Sequence, residues 1–175
     1  KRPKRTGTSG PSYASSVVVG LVIFALLATF SLKGLAEYHV QQGTKNSDDE
    51  SAIAQFKNAA TLDPDYAATS LLIADRMFKN KDHEAAANEL RRAIDGGLGV
   101  IGTYSALAEC EENAGNVQSA DKAYKSGLDI FPRSAFLRVR YAKFLSDTNK
   151  ITASEEQMSI AKSIDSRQAA GWFYL

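Results

Sequence analysis

Four times along this chain a small, a large and another small residue recur at intervals of four and three, and the four sets keep one constant period. Ala120, Tyr124 and Gly127 are followed by Pro132. Position numbers lower by 34 give Ala86, Leu90, Ala93 and Leu98, and the same step again gives Ala52, Phe56, Ala59 and Pro64. One period later come Ser154, Met158, Ala161 and Ser166. A fixed period of this length means one supersecondary unit repeated and stacked. The last three sets along the chain are each preceded by a large-small pair, Ile73–Ala74, Leu107–Ala108 and Tyr141–Ala142, with the same period between them.

These pairs lie on helical stretches, YAATSLLIADRMFKN, GTYSALAECEENAG and AFLRVRYAKFLSDTN. Turn signals at Asn80, Ala114 and Thr148 separate the helices within a unit, and LDPDY, DGGLG and FPRS close the units, Pro or Gly ending each second helix. Two antiparallel helices approach closely only where the contact residues are small, so Ala74 is expected against Ala86 and Ala108 against Ala120. Phe56, Leu90, Tyr124 and Met158 then fill the space toward the next unit, and stacked pairs bury what one pair cannot.

The pattern resembles the tetratricopeptide repeat, a 34-residue helix-turn-helix with alternating large and small signature positions and a closing proline. The resemblance runs from about Leu32 to Leu175. It is fullest in the third unit, at Tyr104, Leu107, Ala108, Gly115, Ala120, Tyr124 and Pro132. It implies an all-α chain, a right-handed solenoid of about four repeats over 33–66, 67–100, 101–134 and 135–168, with 169–175 starting a cap or fifth repeat. Two departures stand out. DGGLGV replaces the proline turn of the second unit, and Gly43 stands four positions too early for a turn glycine relative to Ala52. An insertion through Asn46–Glu50 accounts for the latter. The first helix then reads SLKGLAEYHVQQG, with Leu32, Leu35, Ala36 and His39 facing inward.

Ahead of the repeats, Tyr13 to Leu32 holds twenty residues without a charge. As a helix this spans roughly 30 Å, the thickness of a bilayer's hydrocarbon core. The expected anchor presents Tyr13, Val17, Gly20, Leu21, Phe24, Leu27 and Phe30 to lipid, and Ser16 with Gly20 forms a small-xxx-small pair. A cleaved signal peptide is the rival reading, but LLATFSLKG offers no Ala-x-Ala site. Residues 1–12 carry Lys1, Arg2, Lys4 and Arg5 without an acid, while only Lys33 lies close behind the segment. The positive-inside rule places this tail in the cytoplasm and the repeats outside it, in the periplasm of a bacterium. The span is expected to run without a linker into the first repeat helix, with Gly34 as the place for a bend.

The basic tail invites a nucleic-acid reading, but the rest of the chain holds 17 basic against 20 acidic residues, and no basic face continues the contact. One cysteine, Cys110, and two histidines, His39 and His83, exclude an intramolecular disulfide and supply too few soft ligands for structural zinc. Asp48–Asp49–Glu50 reads as turn residues and Glu111–Glu112 as the exposed side of a helix end. DGGLGV lacks a phosphate loop's Gly-Lys-Ser/Thr. His39 reads as an inward core residue, Cys110 as a small packed one, His83 as solvated. No catalytic residue, metal or cofactor is expected.

Binding remains. By the resemblance, the first helix of each unit lines a concave face, here Leu71, Asp75, Phe78 and Lys79, then Ser105, Glu109, Glu112 and Asn113, then Phe136, Val139, Lys143 and Asp147. The basic-and-amide clamp for a peptide carboxylate is not recognisable among them. Beyond Ser166, RQAAGWFYL ends on Trp172, Phe173, Tyr174 and Leu175, an aromatic end that further sequence or a protein partner is expected to cover. The first functional reading is a membrane-anchored, non-enzymatic scaffold within a larger membrane complex. A second is the C-terminal tail of a polytopic enzyme resembling O-antigen ligases or polymerases, with catalysis elsewhere. The third is a cleaved, soluble repeat protein.

Overall fold

The computed structural model describes residues 13–64 and 66–167. They form eight α-helices and no strand: α1 (Tyr13–Lys45), α2 (Asp49–Leu62), α3 (Ala68–Lys79), α4 (His83–Ala93), α5 (Ile101–Asn113), α6 (Val117–Ile130), α7 (Ala135–Asp147) and α8 (Ile151–Ile164). Helices pack as hairpins, α1 with α2, α3 with α4, α5 with α6 and α7 with α8. Each hairpin stacks on the next through α2 and α3, α4 and α5, and α6 and α7. This is an all-α solenoid with an apolar helix leading into it.

Its boundaries keep step with the sequence period. The first helices end at Lys45, Lys79, Asn113 and Asp147, and the second begin at Asp49, His83, Val117 and Ile151, each one period after the last. Side-chain caps start three of the helices: Asp48, Asp82 and Ser134 accept from the amides of Ser51, Ala85 and Leu137 at 2.9, 3.3 and 3.2 Å. The intra-unit turns pass through left-handed backbone at Lys81, Gly115 and Asn149.

The small-residue columns do what close packing requires. Ala52, Ala86 and Ala120 are each 0% exposed, and Ala74, Ala86, Ala108 and Ala120 share one core. In the fourth unit Ser154 occupies this column, and its hydroxyl donates to the Ala142 carbonyl at 2.6 Å. Large residues bridge units. Tyr124 stacks on Tyr141 with ring centroids 5.2 Å apart and tilts against Phe144 at 5.6 Å. Gly127 lets α6 approach its neighbours, since a Cβ there would lie 2.7 Å from Leu137 and 2.8 Å from Tyr104.

The first unit corrects the reading of an insertion. Only Asn46–Asp48 separates α1 from α2, and Asp49 and Glu50 already belong to the first turn of α2. Gly43 is no turn glycine. It lies inside α1, where a Cβ would meet the Phe56 ring at 2.5 Å. The inward face of α1 is accordingly Ala36, Val40 and Gly43, with His39 half-buried, whereas Leu32 and Leu35 are exposed. The reason is reach: α2 is a 14-residue helix and its last apolar residue, Leu62, packs beside Ala36 and Val40.

DGGLGV forms a wide π-helical turn over Ile94–Leu98, with Gly97 at φ 94° supplying a conformation that side chains disfavour. α1 is continuous through Gly34 across all 33 residues, so no linker separates its apolar half from the first hairpin. That half is long and apolar enough to cross a membrane, and none of its apolar window is buried. Phe24 and Phe30 are 71% and 79% exposed.

Candidate partner-binding groove

Between α3 and α5 the solenoid opens a groove of about 410 Å³. From α3 it takes Leu71, Ala74, Asp75 and Phe78, from α5 Gly102, Thr103, Ala106, Glu109 and Cys110, with Leu90 beneath and Val100 at one end. Its depth comes from side-chain size. Gly102 and Ala106 stand one turn apart where the fourth unit has Phe136 and Arg140, so the α5 wall recedes. The floor is braced: Phe78 packs edge-on against the His83 ring at 5.1 Å.

Two carboxylates edge this apolar trough, and each already has a cation. Lys79 donates to Asp75 at 2.7 Å, and Arg140 of α7 pairs with Glu109 of α5. The groove margin therefore carries compensated charge, which gives orientation to a ligand more than net attraction. Cys110 is buried beside it, its thiol pushed up to about 12 by desolvation and by the neighbouring Glu109 and Glu111. It stays protonated and non-nucleophilic at physiological pH.

Of the residues expected on the concave face, the structure brings Leu71, Asp75, Phe78 and Glu109 into this groove, with Lys79 beside Asp75. Ser105 is buried, and Val139 is buried with Ala135 and Ala161, so neither presents a side chain outward. Glu112 is half-buried and turned toward α6, where the Tyr124 hydroxyl donates to it at 2.6 Å. Asn113, Lys143 and Asp147 are exposed, and Phe136 is half-buried. In the apolar half of α1, Val17, Gly20, Leu21, Phe24, Leu27 and Phe30 are exposed, and Tyr13 opens the helix. The basic tail and Trp172–Leu175 lie outside the described residues.

The groove walls Gly102, Ala106 and Val100 were not in that expectation. Their signal is the one-turn rhythm of small residues, Gly102 and Ala106, leading to Glu109 on the same helical face. Two other placements are corrected. Glu111 is 1% exposed, paired with Arg91 and accepting from the Asn116 amide at 3.0 Å. It belongs to the column Gly43, Met77, Glu111, Leu145, spaced by the repeat period, which faces the core in every unit, so its charge is turned inward and needs a partner. His83 is not solvated: it is half-buried as the first residue of α4, its Nδ1 enclosed. His39 donates from Nδ1 to the side-chain Oε1 of Gln55 at 2.6 Å.

Two acidic groups at the start of α2 are structural. Asp48 caps α2, and Arg76 donates to Asp49 at 2.8 Å. Among the described residues no three His, Cys, Asp or Glu side chains converge as metal ligands.

No family model matches the chain, and no curated protein does either. Solved structures share its fold. A crystal structure of MamA superimposes with a TM-score of 0.66 at 18% identity, covering 77% of this chain and 75% of that one. MamA from Desulfovibrio magneticus RS-1 gives 0.65 at 15% identity over 76% and 77%. YrrB, described as a TPR protein with an unusual peptide-binding site, gives 0.60 at 13% identity over 73% and 67%. The solenoid thus has the tetratricopeptide-repeat fold.

Proposed function

We propose that this chain is a membrane-anchored, non-enzymatic scaffold that holds another protein at a bilayer through its repeat solenoid. The observation that carries the reading is the continuity of α1. One helix is apolar and exposed from Val17 to Leu27, and over its second half packs as the first helix of the solenoid. Residues 13–32 form the span, the basic tail lies on the cytoplasmic side, and the units 33–66, 67–100, 101–134 and 135–168 stand outside it. The groove between α3 and α5 supplies the docking surface: an apolar trough between compensated charges suits a peptide segment with a buried apolar side chain and polar flanks. The peptide-binding site named for YrrB supports that use of the fold. Trp172–Leu175 offers a second contact for a neighbouring subunit.

A photo-crosslinking residue at Gly102, introduced into the full chain in native membranes, tests the scaffold. Its product is expected to contain one discrete partner, and Ala106→Trp, which fills the trough, is expected to abolish it. A chain that leaves gentle detergent extraction alone, monodisperse and uncrosslinked contradicts the scaffold. The intact mass of the native polypeptide separates the polytopic-enzyme reading: a value far above 18.9 kDa, with further apolar spans, assigns these residues to an enzyme's tail.

A further inference from the structure

The turns that join one hairpin to the next share a single edge of the solenoid. A Cβ on Gly96, in the α4–α5 turn, would touch Ala67 of the α2–α3 turn at 2.6 Å. Gly99 lies against Tyr104, whose ring meets Phe131 of the α6–α7 turn at 6.4 Å. This edge presents Tyr66 (39% exposed) and Val100 (54%), with Leu98 half-buried beside them. The opposite edge, made of Asn46–Asp48, Asn80–Asp82, Ala114–Asn116 and Thr148–Lys150, is polar in its turns, with Val117 and Ile151 exposed where α6 and α8 begin.

The period fixes where the first edge stands relative to the apolar segment. α3, α5 and α7 begin at Ala68, Ile101 and Ala135. Subtracting whole periods places the equivalent start in α1 at Lys33 or Gly34, immediately after Leu32. Contacts agree: α2 runs back along α1 with Phe56 against Gly43, Gln55 against His39, and Leu62 beside Ala36. The α2–α3 turn that follows is therefore level with the last turn of the apolar segment, at about 1.5 Å per residue.

We infer that the edge carrying Tyr66, Leu98 and Val100 rests in the headgroup layer of the bilayer that α1 crosses. The inference depends on the spanning role proposed above. An aromatic hydroxyl at this depth suits the interface, where an apolar ring and a polar tip are both satisfied. The contact is apolar, not electrostatic: the turns of this edge carry Asp63, Asp65 and Asp95 against Arg133, so anionic lipid adds nothing to it.

Single-cysteine labels read the depth, since native Cys110 is buried. The full chain is reconstituted in phosphatidylcholine vesicles with Tyr66→Cys, Val100→Cys, Phe24→Cys or Val117→Cys carrying an environment-sensitive fluorophore. Nitroxide-bearing lipids serve as quenchers. Phe24→Cys reports the span; Val117→Cys, on the polar edge, is the distal control. The expected result is that headgroup nitroxide removes most of the signal at positions 66 and 100 and little at 117. Quenching should persist at high salt and be unchanged by anionic lipid. If position 24 is quenched by deep nitroxide while 66 and 100 behave like 117, the edge stands clear of the membrane and the inference fails alone. If position 24 is itself unquenched, the spanning role fails and the inference falls with it.

Discussion

Two adjacent carboxylates at the end of α5 show how one residue type divides between duties. Glu111 points into the core and is held by Arg91 and Asn116. Glu112, the next residue and about 100° around the helix, accepts from Tyr124 across the hairpin. Burial raises the Glu112 carboxyl above its ordinary value, and the Tyr124 bond and Arg140 only partly offset this. The folded state therefore holds the Glu112 proton more tightly than the unfolded chain. Above the folded value its ionised form costs stability, and that cost disappears as pH falls through the folded value toward 4.5. Glu112→Gln keeps an acceptor for Tyr124 without the charge. It is expected to melt higher than the parent at pH 7, the difference closing by about pH 4.5, in thermal denaturation followed across pH. A variant less stable at pH 7 shows that the charged hydrogen bond outweighs desolvation.

Elements are joined here by contacts at particular backbone positions, and Gly127 is a tight one between units. An added methyl would strike the fully buried Leu137 and the Tyr104 Cβ, and the latter, fixed to its backbone, cannot swing away. Gly127→Ala is expected to cost about 1–3 kcal/mol through overpacking, despite the better helix propensity of alanine. Gly102→Ala, where a Cβ meets nothing within 4 Å, serves as the control and is expected to be neutral or slightly stabilising. Chemical denaturation of the two variants decides it, and equal stabilities contradict the packing account. The hairpins are legible in the sequence because a fixed period needs only size: Ala52, Ala86, Ala120 and Ser154 mark the close approach in each hairpin whatever surrounds them. The inward face of α1 is not, because Gly43 reads as a turn glycine until its neighbour in space, Phe56 of the following helix, is placed against it. Glu111 is misplaced for a related reason. An amphipathic reading sends charges outward, and the Arg91 guanidinium, from another helix, together with the Asn116 amide makes an inward one tolerable. Groove depth depends on what Gly102 and Ala106 lack, which patterns of large residues do not advertise.

At the scale of the whole molecule, the absence of any break in α1 makes the apolar segment and the solenoid one lever. Orientation of the repeats about the membrane normal is then set by helical phase, and their height by helical rise. Inserting residues after Lys33 changes the two separately. Seven helix-forming residues keep the phase within roughly 20° and lift the solenoid by about 10 Å. Five turn it by about 140° and lift it by about 7.5 Å. With the seven-residue insert, labels at Tyr66 and Val100 are expected to escape headgroup quenchers, while Phe24 stays quenched and the Gly102 crosslink persists for a partner that is itself soluble. With five, the crosslink is expected to weaken if that partner is also held in the membrane, because the groove between α3 and α5 then faces another direction. A partner indifferent to the five-residue insert is recruited from solution. Crosslinking unchanged by both inserts together with undiminished quenching at Tyr66 means that α1 bends or melts beyond Leu32, and the rigid lever is lost.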